Sequence, residues 1–598
     1  MTMKSLKKYI ILLFISGLYA CNDSLLDKRP VDLLTPEQVY NSPEAVEAYF
    51  ATLYKDLPIE DFSFCNGRFG EFPGNGDGYT SNWTWETTNS TNASNNDENW
   101  GKLYRAIRNV NTFIKEIATV NVPEATKNAY VAEARFVRAY YYQELVKFWG
   151  GVPILLEPQT ITNGNTADLN LPRSKEADVW DLVKSDLDFA AANLPPTSVY
   201  GRANKYVALA LLSRTMLHAA SIAKFGTVQL DGVVGVDPAK ATLYFQSAYD
   251  AAKKIIDDGK YSLFNKYPND KAQNFQLLFY ELQGNPEAIF CKGWDYESTR
   301  RTHSQDLMAL PVVIQSPIGY ANRMTPTLDM AERFDYVDGS PGTLNIGTPT
   351  AYVHYKSPQD VFKNKDPRFF GSIISTGSPF KGVEITGQRG VIYNGVKFNG
   401  TALNQYFDID KKQILAAPTA NSVRATGNSD NGAITFWQKK FLDPTRPANL
   451  SVDWSSETDW LDMRLGEVLL NYAEAAFELG KPASEALTAI NQLRTRAGVA
   501  PLTTIDRDKI RKERSVELAF ENRTFWDLRR WRTLTTEFSG WIPNGLYIYY
   551  DVNAKDYVFE KTPNGGGKTY QAKDYYFQIP AAERSKAGSK LGNGNPGY

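Results

Sequence analysis

Reactive side chains are scarce in this chain. Its 598 residues include only three histidines and three cysteines. His218, His303 and His354 are scattered, with no serine or cysteine nucleophile beside them in a recognisable motif, so a catalytic triad has no support. So few imidazoles and thiols argue against a multi-histidine metal site and against a disulfide framework. Cys65 and Cys291 are expected as free thiols. A G-x-x-x-x-G-K-[ST] phosphate loop and a C-x-x-C pair are both missing. No metal and no cofactor is therefore expected. Neither sign of charge is in surplus: 66 Lys and Arg face 67 Asp and Glu, a net −1, which argues against bulk capture of nucleic acid. Beyond the N-terminus, no segment approaches the ~20 apolar residues of a membrane-spanning helix.

What the chain does have begins at that N-terminus. Lys4, Lys7 and Lys8 precede an apolar run from Tyr9 to Gly17, which ends Leu18-Tyr19-Ala20-Cys21. A small residue before cysteine at the end of a short apolar run is the pattern of a bacterial lipoprotein signal. Residues 1–20 are expected to be removed and Cys21 to carry the lipid, leaving a tethered, otherwise soluble protein. Aromatic residues are abundant, 13% of the chain with 12 Trp, 34 Tyr and 31 Phe. Surplus Trp and Tyr suit interfaces and flat apolar ligand faces such as sugar rings.

Helical patterning dominates the first and last thirds. Glu133-Ala-Arg-Phe-Val-Arg-Ala-Tyr-Tyr-Tyr-Gln-Glu-Leu-Val-Lys-Phe-Trp149 reads as a helix covered on most sides, stopped by Gly150-Gly151 with Pro153 beyond. Ser42-Pro43-Glu44 reads as a helix start. Further helices are expected from Trp100, over 177–194, 204–223 and 241–258, and again over 462–479, 483–497 and 508–531. Small residues recurring where helices cross suggest stacked pairs of tetratricopeptide type. Glycine- and asparagine-rich sequence from 60 to 99 forms a long loop, and a stretch so long is usually functional or disordered. The expectation is a mainly α fold: residues 21–598 form one domain. A helical scaffold of about 36–263 and 460–533 packs with a loop-rich excursion of about 264–459 that holds short strands.

Several spaced motifs then occur in one order: Cys21, the 133–142 helix with Phe148-Trp-Gly-Gly-Val-Pro153, Gly201-Arg-Ala-Asn-Lys205, Asp366-Pro-Arg-Phe369 and Glu467-Val-Leu-Leu-Asn-Tyr-Ala-Glu474. They continue with Ile490-Asn-Gln-Leu-Arg-Thr-Arg-Ala-Gly498, Phe525-Trp-Asp-Leu-Arg-Arg-Trp531 and Asn595-Pro-Gly-Tyr598. Along its whole length the chain resembles the SusD (RagB/SusD) lipoproteins of Bacteroidetes. The resemblance implies a fold of tetratricopeptide-like pairs, a glycan-binding role at the outer surface of the outer membrane, and partnership with a SusC-like TonB-dependent transporter, over which the protein sits as a lid.

Candidate ligand residues fall in two clusters. In the early loop, Tyr79, Trp83 and Trp85 offer rings, with Asp77 and Asn82 beside them for sugar hydroxyls. In the excursion, a strand carrying Trp294 and Tyr296 on alternate positions would place both on one face, with Tyr320 as a weaker addition. The family supplies ligand contacts from this region too. Arg368 matches a family motif and is a further candidate, although a structural ion pair is the favoured reading for it. Glu517 and Glu521 invite a glycosidase reading, but Arg514, Arg523 and Arg529 around them would hold both ionised, and a general acid needs a raised pKa. The expected function is therefore non-enzymatic capture of an oligosaccharide or polysaccharide for delivery to the transporter. Peptide capture by the same kind of lid is the alternative, with a surface glycoside hydrolase behind it.

Overall fold

The computed structural model of the chain describes residues 42–62, 79–80, 97–161, 169–299, 301–314, 325–399, 405–407, 413–415, 422–423, 435–538, 540–563 and 570–598. Helix α1 (Pro43–Lys55) starts where the sequence signal put it: Ser42 Oγ accepts from the Ala45 amide at 3.3 Å, and proline occupies the first turn. Helices α2 (Asp97–Ile117), α3 (Glu124–Trp149), α4 (Glu176–Asn193), α5 (Lys205–Phe225) and α6 (Ala241–Asp258) follow, each packed on the one before. Helix α5 is long and apolar enough to cross a membrane. However, 94% of its most apolar window is buried inside the fold, so it is the central core helix of the array.

Helix α3 is buried through most of its length. All three consecutive tyrosines are inside, and each hydroxyl has a partner. Tyr140 donates to Asp462 Oδ2 at 3.2 Å, Tyr141 to the Leu53 carbonyl at 2.9 Å and Tyr142 to the Leu155 carbonyl at 3.0 Å. These rings therefore tie α1, the following loop and the distant residue 462 to one helix. The helix ends at Gly150, whose φ of 73° favours glycine. At Gly151 a Cβ would lie 2.1 Å from the Ser174 carbonyl oxygen, so the backbones meet too closely for any side chain. The C-terminus docks on this same corner. Asn595 Nδ2 donates to the carbonyls of Trp149 and Phe577 at 3.1 and 2.6 Å, and Trp149 Nε1 donates to the Gln578 carbonyl at 3.1 Å.

The middle of the chain is a run of short elements, among them α7 (Lys271–Leu277) and α8 (Pro367–Ser372) and the strands β1 (Tyr79–Thr80), β2 (Ala288–Lys292), β3 (Thr325–Pro326), β4 (Gly390–Tyr393) and β5 (Val396–Asn399). The chain then returns to the scaffold through β6 (Trp460–Arg464), which pairs antiparallel with β2. Helices α9 (Leu465–Glu478), α10 (Ala483–Ala497), α11 (Arg507–Glu517) and α12 (Thr524–Arg530) follow, and α9 packs against both α6 and α10. A hairpin of β7 (Asn544–Asp551) and β8 (Asp556–Pro563) joins β4 and β5 in a four-stranded sheet ordered β5-β4-β7-β8. One hydrophobic cluster fills the helical array. A second lies beneath the excursion and draws on the helix-and-hairpin region from Val516 to Phe559.

Two boundaries differ from the sequence reading. Residues 462–464 are strand rather than the start of a helix, because pairing with β2 satisfies their backbone. The long helix expected over 508–531 is broken: Phe520 and Asn522 have φ of 65° and 59°, and Glu521 sits in the turn between α11 and α12. Buried charge surrounds the break. Arg464 Nη1 lies 2.7 Å from Glu517 and 2.8 Å from Glu287, and its Nη2 lies 2.8 Å from Glu521. Glu521 also takes Lys440 at 2.9 Å, and Glu517 takes Arg496. Within the turn itself, Asn522 Nδ2 donates to the Glu60 carbonyl at 2.9 Å, a partner far away along the chain.

Arg368 belongs to the same cluster, which removes it from the ligand candidates. It is 1% exposed, and its guanidinium is engaged by Asp366 at 2.8 Å, Glu513 at 2.6 Å and Glu517 at 2.8 Å. Burial alone would push the Glu517 carboxyl up, but Arg496, Arg464 and Arg368 outweigh it and hold it well below the usual range.

Glu517→Gln leaves the shape intact while removing the anion those three arginines share. It is expected to lower the unfolding free energy by ~3–5 kcal/mol, measured by urea denaturation. Acid should act in the same direction. Against burial, Arg214 brings Glu467 down to about 2, and Arg530 does the same for Glu474. Their ionised form is stabilised by folding, so this stability is complete above pH ~4.5 and is lost progressively as pH falls toward ~2. Urea midpoints at pH 6, 4 and 3 should fall in that order.

Candidate functional site

An aromatic cluster gathers around Phe62. Phe62 stacks on His303 with centroids 3.9 Å apart, meets Trp460 edge-on at 5.0 Å and approaches Trp294 at 6.5 Å. The early loop touches the excursion a second time through β1 and β3, where Tyr79 faces Pro326 and Thr80 faces Thr325. Phe62 and this two-residue bridge are two contacts of the early segment with the excursion, and the first of them, around Phe62, Trp294 and Asp459, is the seam.

Trp294 is half-buried at the seam. Its backbone amide donates to Asp459 Oδ1 at 2.6 Å, and Lys292 Nζ lies 4.7 Å from its ring centroid. Its indole Nε1 is buried without a hydrogen-bond partner. Asp459 also accepts from the Tyr200 hydroxyl at 2.7 Å, and burial pushes its carboxyl up. His303 is held down to about 4 by burial, so it is neutral at physiological pH. Its Nδ1 accepts from the Gln305 amide at 3.2 Å, which leaves Nε2 as the donor to the Thr458 carbonyl at 3.0 Å. This is a packing role and not an acid–base one.

Around this half-buried centre, large rings stand in solvent. Tyr296 is 54% exposed and Tyr200 45%. Trp454, which sequence reasoning did not single out, is 69% exposed. Its backbone is pinned in the left-handed region at φ 54°, where the Ser304 hydroxyl accepts from its amide at 2.9 Å and Thr302 donates to its carbonyl at 2.7 Å. A bulky residue in that conformation carries a backbone cost of ~1–3 kcal/mol. This combination of left-handed backbone and an exposed indole is visible only in the structure. The one trace in the sequence is its Asp453-Trp454-Ser455-Ser456 setting, which is turn composition.

The expected strand face is not formed. Strand β2 stops at Lys292, and Tyr296 opens a short helix (Tyr296–Thr299) with its amide bonded to Glu457 Oε1 at 3.1 Å. Trp294 and Tyr296 thus share the seam without sharing a strand face. Asp77, Asn82, Trp83, Trp85, Tyr320 and the lipidation residue Cys21 lie outside the described residues, and Tyr79 is described by its backbone alone. Burial and the arginine partners that hold Glu517 and Glu521 ionised leave neither available as a general acid.

Comparison with known proteins agrees with this architecture. The SusD family model matches residues 286–598, more than half of the chain, and a model described as starch-binding associating with outer membrane matches residues 25–217. The chain belongs to the SusD family, a family of non-catalytic binding proteins associated with the outer membrane. It is 25% identical to the SusD-like protein P2 of Formosa agariphila, over 99% of this chain and 100% of that one. A SusD-like protein of Bacteroides fragilis shares the fold with a TM-score of 0.70 at 22% identity, covering 96% of this chain and 100% of the other. A second protein of the same strain, described as a SusD-like carbohydrate binding protein, gives 0.66 at 22% identity, covering 92% and 99%.

Proposed function

We propose that the protein is a cell-surface, lipid-anchored glycan-binding protein that captures oligosaccharide or polysaccharide and delivers it to a SusC-like TonB-dependent transporter, over which it acts as the lid. The observation that carries the reading is the exposed aromatic group on the seam, Tyr200, Tyr296 and Trp454 around the orphan indole N–H of Trp294. Sugar rings present a C–H face to such rings and hydroxyls to groups such as Asp459 and Glu457. A related fold described as carbohydrate binding supports the same ligand class. The early-loop residues Asp77, Tyr79, Asn82, Trp83 and Trp85, and Tyr320, complete the proposed ligand set from the sequence side. Anchoring rests on the Leu18-Tyr19-Ala20-Cys21 pattern.

Exposed rings favour the glycan over a peptide, which would need a cavity lined to satisfy backbone groups. Calorimetry of the chain lacking residues 1–21 against a glycan panel and a peptide mixture tests this. Glycan binding without release of reducing sugar is expected. Trp83→Ala, Trp85→Ala and Trp454→Gly should each weaken it by about ten-fold, in line with the ~1–2 kcal/mol of a lost ring contact. Trp454→Gly should unfold no earlier than the parent, since it relieves the left-handed backbone. Glycan affinity unchanged in all three would remove the seam from the site, and peptide binding alone would favour the alternative. Separately, Cys21→Ala is expected to abolish incorporation of labelled fatty acid and release the protein from the membrane fraction.

A further inference from the structure

Away from the seam, a cleft of 330 Å³ opens between α2, the segment that follows α3, and the C-terminal helix Ala581–Ala587. Its volume is at the lower end of the ~300–1,000 Å³ typical of small-molecule sites, which suits one sugar ring and its substituents better than a long chain. One face of α2 lines it, with Trp100, Gly101, Tyr104, Arg105 and Arg108 recurring at helical spacing. Trp100 and Tyr104, with centroids 5.2 Å apart, and Leu155 give the cleft its apolar part.

The charges in the cleft are unevenly satisfied. Glu583 and Lys586 neutralise one another at 2.7 Å. Arg105 and Arg108, one helical turn apart, have no acid partner in ion-pair contact among the described residues. The Arg105 guanidinium lies back over Gly101, whose Cβ position is 3.4 Å from Nη1. Glu157 on the facing segment has no base in ion-pair contact among the described residues, although it feels the charge of Arg138, so two guanidiniums outnumber one carboxylate here. Both side chains are exposed, and together they give this wall of the cleft a positive character.

We propose that the cleft is a second saccharide subsite, selective for a sugar unit that bears an anionic group, which Arg105 and Arg108 grip while the ring lies against Tyr104 and Leu155. Two guanidinium forks match a carboxylate or a sulfate ester, through charge-assisted hydrogen bonds. Gln159, whose amide donates to the Leu169 carbonyl at 2.9 Å, keeps its own carbonyl oxygen for a sugar hydroxyl, and Glu157 accepts from others. The inference rests on the glycan-binding reading but uses none of the seam residues.

Ligand-observed NMR and calorimetry on the purified protein test it with three probes: a methyl glucuronide, a sulfated methyl galactoside and a neutral methyl glucoside. The glucuronide is expected to bind and to lose at least ten-fold in affinity in the Arg105→Gln/Arg108→Gln double variant, while the neutral glycoside shows no dependence on that pair. Loss of the sulfated sugar in the same variant would show that charge alone is read, and its indifference would show that the planar carboxylate is read. Both results support the subsite. Glucuronide binding unchanged in the double variant, or absent in the parent, overturns it. Oligosaccharide binding sensitive to Trp454→Gly in that same parent protein would show that the seam reading survives when the cleft fails.

Discussion

The structure depends on a buried pool of charge. Arg464, Arg496, Arg368 and Lys440 meet Glu287, Glu513, Glu517 and Glu521 with almost no access to water. Each of these ions would be costly to bury alone, and the cost is offset only while all partners stay in place. The partners come from distant parts of the chain: Glu287 just before β2, Arg368 from α8, Lys440 from the excursion, Arg464 from β6, Arg496 from α10 and Glu517 from α11. The network therefore acts as a registry device, because the excursion and both helical parts must arrive together for any one of its members to be satisfied.

That registry is what places the seam. Strands β2 and β6, whose ends supply Glu287 and Arg464, lead at their other ends to Trp294 and Asp459. The same short sheet thus joins the charged core to the aromatic surface. The site side then has the opposite character: rings left in solvent, an indole donor left unpaired, and a tryptophan held in a left-handed conformation.

Legibility from sequence followed the range of the interactions involved. Helices α6 and α10 are where periodicity put them, and α3 stops at Gly150 as read, because helix propensity, capping and glycine stops act within a few residues. The strand over 460–464 and the break at Phe520–Asn522 escaped the sequence reading, since both answer to partners tens to hundreds of residues away. Arg368 shows the same limit: a family motif marks it as notable, and only the carboxylates gathered around it say that the note is structural. Trp454 was passed over because nothing local distinguishes an exposed tryptophan in a turn from a buried one.

By itself, the sequence determined the family, the mainly helical body, the lipoprotein signal pattern and the lack of a catalytic constellation. Those follow from residue types, spacings and order, which are local or additive properties of the chain. Tertiary structure alone decided which charges are buried together, which rings remain in water and which arginines are left without a partner. Exposure and pairing are set by where distant segments meet, and no spacing along one chain encodes that geometry.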